Sequence, residues 1–233
     1  MTKRIFVSGT STEIGKTVVA RAVVAALRRR GIATLALKPV ESGAPLVEGR
    51  LRPADAAALA RACGLDPSSA RNWLYAFGDP VSPHLAAARA GEKIDPEAVL
   101  DFLAQRERES DAEVVIAEGA GGLLVPLDDG LLFADLVARS GYELLIVSPD
   151  VLGTINATLL TIEAARSRGI PIDKVVLNRS GREELGNAEA IAAHGRVGIL
   201  GGLPELPAAA LEDDAELAEL AERHLDLDRL IER

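Results

Sequence analysis

The segment from Gly9 to Thr17, with the sequence GTSTEIGKT, constrains the fold of this chain more than any other stretch. A short apolar run, Ile5 to Val7, precedes it, and an apolar helical pattern from Val18 to Leu27 follows it. In a strand, glycine-containing loop and helix of this kind, the backbone N–H groups of the loop and the positive end of the helix converge on an anion. The segment therefore predicts a nucleotide-binding P-loop.

The lysine and the threonine of this loop have separate expected roles. Lys16 would reach the β- and γ-phosphates, and the Thr17 hydroxyl would contact Mg²⁺. Five residues, Thr10 to Ile14, separate Gly9 from Gly15, where the common loop has four. The alternative interpretation is a tight turn with a surface lysine and a helix N-cap, but the flanking strand and helix favour the nucleotide site.

Composition and charge restrict the class of protein. A chain of 233 residues with 48% apolar residues fits one α/β domain spanning residues 1–233. The net charge of −9 argues against nucleic acid or an anionic membrane as a partner. Cys63 is the only cysteine, so we expect no disulfide and no cysteine metal site, but a buried or half-buried thiol. No apolar run resembles a signal peptide or a membrane span, which predicts a cytoplasmic protein.

Short apolar runs alternate with longer helical patterns along the chain. Runs such as Val114 to Ile116 and Leu144 to Val147 are apolar on consecutive residues, which is typical of parallel strands covered on both faces. The alternation predicts an α/β fold with a single doubly wound, mostly parallel sheet and helices on both faces, as in P-loop NTPases. The predicted strands are Arg4–Ser8, Thr34–Lys38, Glu113–Ala117, Glu143–Ser148, Lys174–Leu177 and Val197–Ile199. The predicted helices are Lys16–Arg30, Ala54–Cys63, Pro96–Arg108, Phe133–Ser140, Thr154–Arg168, Glu184–His194 and Asp214–Glu222.

Charged side chains follow the predicted strands at the edge of the sheet where open α/β proteins bind ligands. Lys38 ends the second strand, Asp55 lies near the next helix start, and Glu118 follows the third strand. Two carboxylates and the Thr17 hydroxyl are oxygen ligands of the kind Mg²⁺ prefers, and Lys38 would offset charge on a transferring phosphoryl group. Taken singly, Asp55 could cap its helix, Glu118 could be a solvated acid and Lys38 an exposed lysine.

The chain resembles the dethiobiotin synthetase family in five motifs, which are GTSTEIGKT, Lys38-Pro-Val-Glu-Ser-Gly, Tyr75-Ala-Phe-Gly-Asp-Pro-Val-Ser-Pro-His84, Glu118-Gly-Ala-Gly-Gly and Asn178. They occur in that family's order and spacing from about Thr2 to Leu206, and the long spacer of the loop is a feature of the family. The resemblance implies an ATP-dependent ligase that closes the ureido ring of dethiobiotin from 7,8-diaminopelargonate, CO2 and ATP.

The resemblance also implies a reaction sequence. One amine of the substrate captures CO2 as a carbamate, whose oxygen attacks the γ-phosphate of ATP to give a carbamic–phosphoric anhydride. The second amine then displaces phosphate and closes the ring. The implied catalytic residues are Lys16, which holds β- and γ-phosphate oxygens, and Lys38, which stabilises charge on the carbamate and the migrating phosphoryl group.

Further residues bind ATP, substrate or metal if the resemblance holds. The implied ATP-binding set is Glu13, Ile14, Gly15, Lys16, Thr17, Val18, Asp55, Glu118, Gly119, Ala120, Gly121, Asn178, Pro204, Glu205 and Leu206, in which Asn178 and the turn 204–206 hold the adenine. The implied substrate-binding set is Thr12, Ser42, Gly153, Thr154 and Asn156, and the implied Mg²⁺ ligands are Thr17, Asp55 and Glu118. The helix that starts near Gly153 would bind the distal carboxylate from the partner subunit, which implies a homodimer with substrate at the interface.

Two other classes of P-loop protein have similar ATP domains. Partition- or positioning-type ATPases carry a signature lysine five residues before the lysine equivalent to Lys16, where this chain has Ser11. Cobyrinate-type amide synthetases take ammonia from a glutaminase domain with a reactive cysteine, and this chain has only Cys63. Both classes fit the sequence less well than a dethiobiotin synthetase.

Overall fold

The computed structural model of this chain describes residues 2–68, 71–180, 185–207 and 210–232. The strands are β1 (Lys3–Gly9), β2 (Thr34–Leu37), β3 (Val40–Ser42), β4 (Leu46–Val47), β5 (Arg50–Leu51), β6 (Tyr75–Phe77), β7 (Val114–Gly122), β8 (Glu143–Pro149), β9 (Ile172–Ser180) and β10 (Gly198–Pro204). The helices are α1 (Lys16–Arg29), α2 (Ala54–Ala62), α3 (Pro83–Arg89), α4 (Pro96–Arg108), α5 (Phe133–Ser140), α6 (Thr154–Arg166), α7 (Asn187–Gly195), α8 (Asp214–His224) and α9 (Leu227–Ile231).

A six-stranded parallel sheet in the order β10–β9–β8–β1–β7–β2 forms the centre of the described structure. The first strand therefore lies in the interior of the sheet, between β7 and β8. Because the carboxyl ends of parallel strands meet at one edge, the loops after β1, β2, β7 and β9 share that edge. This arrangement confirms the predicted doubly wound, mostly parallel sheet.

Helices cover both faces of the sheet. Ile5 and Val7 of β1 pack into one buried cluster with residues of α1 and α8, such as Leu217. Phe6, between them, belongs to a second cluster and lies against Phe133 of α5, with ring centroids 6.4 Å apart. Successive side chains of a strand point to opposite faces, so a strand apolar on every residue requires both faces to be covered.

The strand ends differ from the prediction where glycines follow an apolar run. The sequence predicts a third strand ending at Ala117, but β7 continues through Glu118 to Gly122 because this segment pairs with β1, with Gly9 opposite Gly122. The last strand likewise continues through Gly201, where φ is +136° and an added Cβ would lie 2.0 Å from the His224 carbonyl oxygen. At Gly122 and Gly201, glycine therefore allows another backbone segment to approach closely within a strand.

Several small elements have no counterpart in the prediction. These are the short strand pairs β3–β6 and β4–β5 and the helices α3 and α9. Their runs of two to seven residues are too short to give a recognisable hydrophobic period. The helix predicted over Glu184–His194 begins at Asn187 in the structure, and Glu184 itself lies outside the described residues. No described helix has both the length and the apolar character that crossing a membrane requires.

The segment after β10 is packed against the helix that begins at the P-loop. Arg21 of α1 is buried, and its guanidinium donates to Asp214 Oδ1 at 2.7 and 2.9 Å and to the Leu211 carbonyl at 2.6 Å. Leu217 and Ala218 of α8 belong to the same buried cluster as Val19 and Val23 of α1. The chain that follows the sheet is therefore part of the core that supports the P-loop helix.

Cys63 lies buried directly after α2, as the sequence predicts. Its Sγ accepts a hydrogen bond from the Ala36 amide at 3.1 Å, and burial raises the pKa of the thiol to about 11. We therefore predict that Cys63 in the folded chain reacts far more slowly with a disulfide reagent at pH 8 than after unfolding in urea, because the thiolate is the reactive form. The rate is measured from the thiol that the reagent releases. If the native chain reacts as fast as a free cysteine does, Cys63 is not buried.

Candidate active site

A cavity of about 970 Å³ lies at the carboxyl edge of the sheet. It brings together most of the residues that the sequence singles out, namely Thr12, Glu13, Gly15, Lys16, Thr17, Val18, Lys38, Ser42, Asp55, Glu118, Ala120, Gly121, Asn178, Pro204, Glu205 and Leu206. Ile14 is buried beneath the loop, and Gly119 meets the site through its carbonyl, which accepts a hydrogen bond from Lys38. One cavity thus unites the carboxyl ends of β7, β9 and β10 with the segments that follow β1 and β2.

The P-loop has a backbone that requires glycine at position 15. Gly15 has φ +88°, and a Cβ there would lie 2.1 Å from Asn178 Nδ2. That amide nitrogen donates to the Ile14 carbonyl at 2.8 Å, so the end of β9 is tied directly to the loop. Asn178, to which the family resemblance assigns the adenine, therefore uses its amino group to hold the loop, and its carboxamide oxygen accepts no hydrogen bond from the described residues.

Lys16 is buried at the start of α1 and points back along its own loop. Its Nζ donates to the Ser11 carbonyl at 3.0 Å. Burial lowers the pKa of Lys16, and the charge of Lys38 lowers it further, against the opposing attraction of Glu118 and Asp55. A phosphate bound in the loop would offset both effects, because it brings negative charge to an ammonium that burial disfavours.

Lys38 is the centre of an ion-pair cluster. Its Nζ lies 2.6 Å from Glu118 Oε1, 3.1 Å from Asp55 Oδ2 and 3.1 Å from the Gly119 carbonyl oxygen. Burial opposes the charge of Lys38, but Glu118 and Asp55 together raise its pKa above the ordinary value. The side chain is 3% exposed, which rules out the alternative of a surface lysine, and the ammonium faces the cavity in its charged form.

Glu118, the acidic residue of β7, has one carboxylate oxygen that accepts no hydrogen bond from the described residues. Glu118 is fully buried; its Oε1 accepts from Lys38 and from the Thr17 hydroxyl at 2.8 Å, and its Oε2 has no hydrogen-bond partner among the described residues. A buried carboxylate oxygen without a donor is costly, and a cation would satisfy it. The described residues contain no group of three or more acidic, histidine or cysteine side chains that could hold a metal by themselves. A Mg²⁺ at Thr17, Asp55 and Glu118 would therefore need phosphate oxygens and water as its remaining ligands. With those ligands added, the three side chains fit the ion, because all of them offer oxygen atoms.

Three predicted substrate-binding residues lie outside this cavity, at the start of α6. The Thr154 hydroxyl is buried and lies 2.5 Å from Ser148 Oγ, which lies 2.8 Å from Thr158 Oγ1. Gly153 and Asn156 are exposed, and so is their neighbour Leu152, at 90%. In a single chain the expected substrate contacts therefore fall into two separate groups.

The sequence reasoning missed several residues that line the cavity. Glu41 and Arg179 are the charged ones, and Pro80 to Pro83 and Leu211 form further parts of the wall. Arg179 has φ +57° and donates to the Glu13 carbonyl at 3.4 Å. Glu41 stands inside the quoted motif Lys38-Pro-Val-Glu-Ser-Gly, so an acid between Val40 and Ser42 was an available signal.

Comparison with known families and relatives gives a consistent result. A family model described as an AAA domain matches residues 3–212. The ATP-dependent dethiobiotin synthetase BioD of Aromatoleum aromaticum is 39% identical over 216 residues, which covers 91% of this chain and 94% of that protein. The BioD 1 of Salmonella typhi is 39% identical over 88% of this chain and 91% of its own length. The BioD of Agrobacterium fabrum is 41% identical over 89% and 88%.

Solved structures resemble this chain in fold at low sequence identity. The ParA family ATPase from Chlorobium tepidum TLS superposes with a TM-score of 0.56 at 18% identity, covering 95% of this chain and 92% of that one. The MinD cell division protein from Aquifex aeolicus gives a TM-score of 0.58 at 16% identity, covering 98% and 94%. At this level of identity the likeness concerns the P-loop NTPase fold alone.

Gly15→Ala should abolish nucleotide binding, because the new Cβ would displace Asn178 from the loop as well as strain the backbone. Gly91→Ala is the matched control, since Gly91 has φ +72° but nothing within 4 Å of an added Cβ. The control should lose only about 1–2 kcal/mol of stability and keep full binding. Calorimetric titration with ATP, alongside thermal unfolding, measures both. Equal losses of binding in the two variants would mean that backbone strain matters and the contact with Asn178 does not.

Proposed function

This chain belongs to the dethiobiotin synthetase family, and from that membership we propose that it is an ATP-dependent ligase of biotin biosynthesis. It closes the ureido ring of dethiobiotin from 7,8-diaminopelargonate and CO2, releasing ADP and phosphate. The observation that carries the proposal is identity of about 40% that extends over most of this chain and of its named relatives. The P-loop, the buried lysine cluster and the cavity between them supply the groups that such a reaction needs.

The nucleotide is held by the P-loop and the surrounding strand ends. The loop amides from Glu13 to Val18 surround the phosphates, and Lys16 turns from the Ser11 carbonyl to the β- and γ-phosphate oxygens. Gly119 to Gly121 line the phosphate side of the cavity. Asn178 and the turn of Pro204, Glu205 and Leu206 receive the adenine, for which the free carboxamide oxygen of Asn178 is an acceptor.

Thr17, Asp55 and Glu118 would hold Mg²⁺ together with the nucleotide. The Oε2 of Glu118 supports this assignment, because the described residues leave this buried carboxylate oxygen without a hydrogen-bond donor. The bound ion would neutralise phosphate charge during transfer. Lys38 contacts Asp55 and Glu118, the same two carboxylates that the ion would contact. Its ammonium would therefore lie beside the same phosphates as the ion.

Lys38 acts on the reacting atoms. A carbamate attacks the γ-phosphate, and negative charge develops on oxygens between the two reactants. A charged ammonium already fixed by two carboxylates stabilises that charge without reorganising. Thr12 and Ser42, which lie on the cavity wall, bind the diamine end of the substrate.

The remaining substrate contacts come from a second copy of the chain. Gly153, Thr154 and Asn156 lie at the start of α6, outside the cavity, and Leu152 and Leu160 beside them are exposed. A homodimer would cover these leucines and bring the α6 amides to the substrate carboxylate.

We also infer that residues 1–233 form one domain, since α8 shares a core with α1. We infer further that the enzyme works in the cytoplasm, where ATP is present.

Turnover with defined substrates tests the function. The purified chain should form ADP and dethiobiotin only when 7,8-diaminopelargonate, bicarbonate, ATP and Mg²⁺ are all present. Omission of the diamine should stop ADP formation, because the carbamate is the phosphoryl acceptor. ATP hydrolysis that proceeds at the same rate without the diamine, with no ring product detected by mass spectrometry, would refute the proposal.

Lys38→Met should lower kcat for dethiobiotin formation about 100- to 1000-fold, because it removes a preorganised charge. It should also destabilise the ligand-free protein by about 3–5 kcal/mol, since Glu118 is left buried without its cation. Lys38→Arg should rescue little activity, because a planar fork does not occupy the place of a compact ammonium. Lys93→Met, at an exposed lysine, is the control.

The double variant Lys38→Met/Glu118→Gln tests whether the unpaired carboxylate of Glu118 causes the loss of stability in Lys38→Met. Neutralising Glu118 should recover much of the lost stability in urea unfolding, because no unpaired charge remains buried. Ring closure should stay defective. A double variant that regains both stability and kcat would make Lys38 a structural cation alone.

A further inference from the structure

A third carboxylate, that of Glu41, lines the cavity beside Asp55 and Glu118. It projects from β3 and is 5% exposed. Unlike Asp55 and Glu118, it has no direct ion pair with a lysine among the described residues. Its two oxygens instead accept hydrogen bonds from the Asp55 amide at 3.1 Å and the Ala56 amide at 2.9 Å.

These bonds cap α2 from outside the helix. The residue before the helix is Pro53, whose side chain makes no capping hydrogen bond. The first amides of a helix have no partner within it, and a carboxylate close to them interacts favourably with the helix dipole. Glu41 supplies that carboxylate from 14 residues upstream.

The first turn of α2 is also tied to the backbone of Lys38. The Asn72 side chain donates to the Ala56 carbonyl at 2.6 Å, and the Asn72 carbonyl accepts from the Lys38 amide at 2.8 Å. Ala56 is thereby held at its amide by Glu41 and at its carbonyl by Asn72. Asp55, the residue before it, has a half-exposed side chain whose contact with Lys38 depends on this fixed turn.

We propose that Glu41 is a positioning residue for magnesium-dependent nucleotide binding, which acts by fixing the first turn of α2 so that the Asp55 carboxylate faces Lys38 and the metal. This inference rests on the proposed function, because it takes Asp55 as a ligand of Mg²⁺. Removing Glu41 should weaken the contribution of Mg²⁺ to nucleotide affinity and leave metal-free nucleotide binding by the P-loop unchanged.

The experiment compares nucleotide affinity with and without Mg²⁺, and needs no turnover. Calorimetry with a non-hydrolysable ATP analogue, at saturating Mg²⁺ and in EDTA, is applied to the parent chain, Glu41→Gln, Asp55→Asn and the double variant. Glu41→Gln should weaken binding about tenfold in Mg²⁺, which is typical of residues behind a metal ligand, and not at all in EDTA. The double variant should bind as Asp55→Asn does, because both changes act through one carboxylate.

Glu113→Gln is the matched control. Glu113 also accepts a hydrogen bond from a backbone amide, that of Ala33 at 3.2 Å, but it directly precedes β7, at the end of that strand away from the cavity. Its substitution should leave both affinities unchanged. If Glu41→Gln lowers the melting temperature but leaves the ratio of the two affinities unchanged, Glu41 is a helix cap only and the proposal is wrong.

Two further outcomes are decisive. If the effects of Glu41→Gln and Asp55→Asn add in the double variant, Glu41 acts independently of Asp55 and the proposal is also wrong. If Glu41→Gln does not fold, Glu41→Asp, which retracts the carboxylate by one methylene, is subjected to the same comparison. A parent chain whose affinity does not depend on Mg²⁺, or that forms no dethiobiotin, would instead refute the metal assignment or the proposed function.

Discussion

The pairing of Lys38 with Glu118 is the interaction on which the rest of the site depends. Glu118 is fully buried in a strand of the sheet, and a carboxylate in that position is tolerated only with a cation and hydrogen-bond donors beside it. Lys38 from the end of β2 and Thr17 from the start of α1 supply them. One buried charge therefore fixes three elements at a single point, and that point lies next to the loop that receives the phosphates.

The carboxyl end of β9 performs a similar task for the P-loop. Asn178 contacts the loop so closely that residue 15 must be glycine, and the amide hydrogen bond to Ile14 holds the loop open in one shape. A nucleotide site arranged before the ligand arrives loses less entropy on binding. The edge of the sheet thus supplies rigidity, and the long side chains of Lys16 and Arg179 supply positive charge at the cavity.

The sequence predicts the sheet well, because consecutive apolar residues are a local signal, and it singles out most of the charged residues that meet in the cavity. It places Glu118 after its strand, since Gly119 to Gly122 suggest a turn, whereas pairing with β1 continues β7 through Gly122 across a shift in register. The burial of Lys38 is also invisible in a lysine followed by proline. The contact of Glu41 with α2 bridges 14 residues and rests on tertiary structure alone, so no periodic pattern reveals it.

The buried contact between Arg21 and Asp214 affects the order in which the parts of the molecule can fold during synthesis. Arg21 lies in the helix that opens at the P-loop, and its partner stands 193 residues later in the chain. Synthesis proceeds from the amino end, so the phosphate-binding loop emerges from the ribosome well before Asp214, and the Arg21 guanidinium lacks this partner until 193 further residues are made. An early-made binding loop therefore acquires part of its support late.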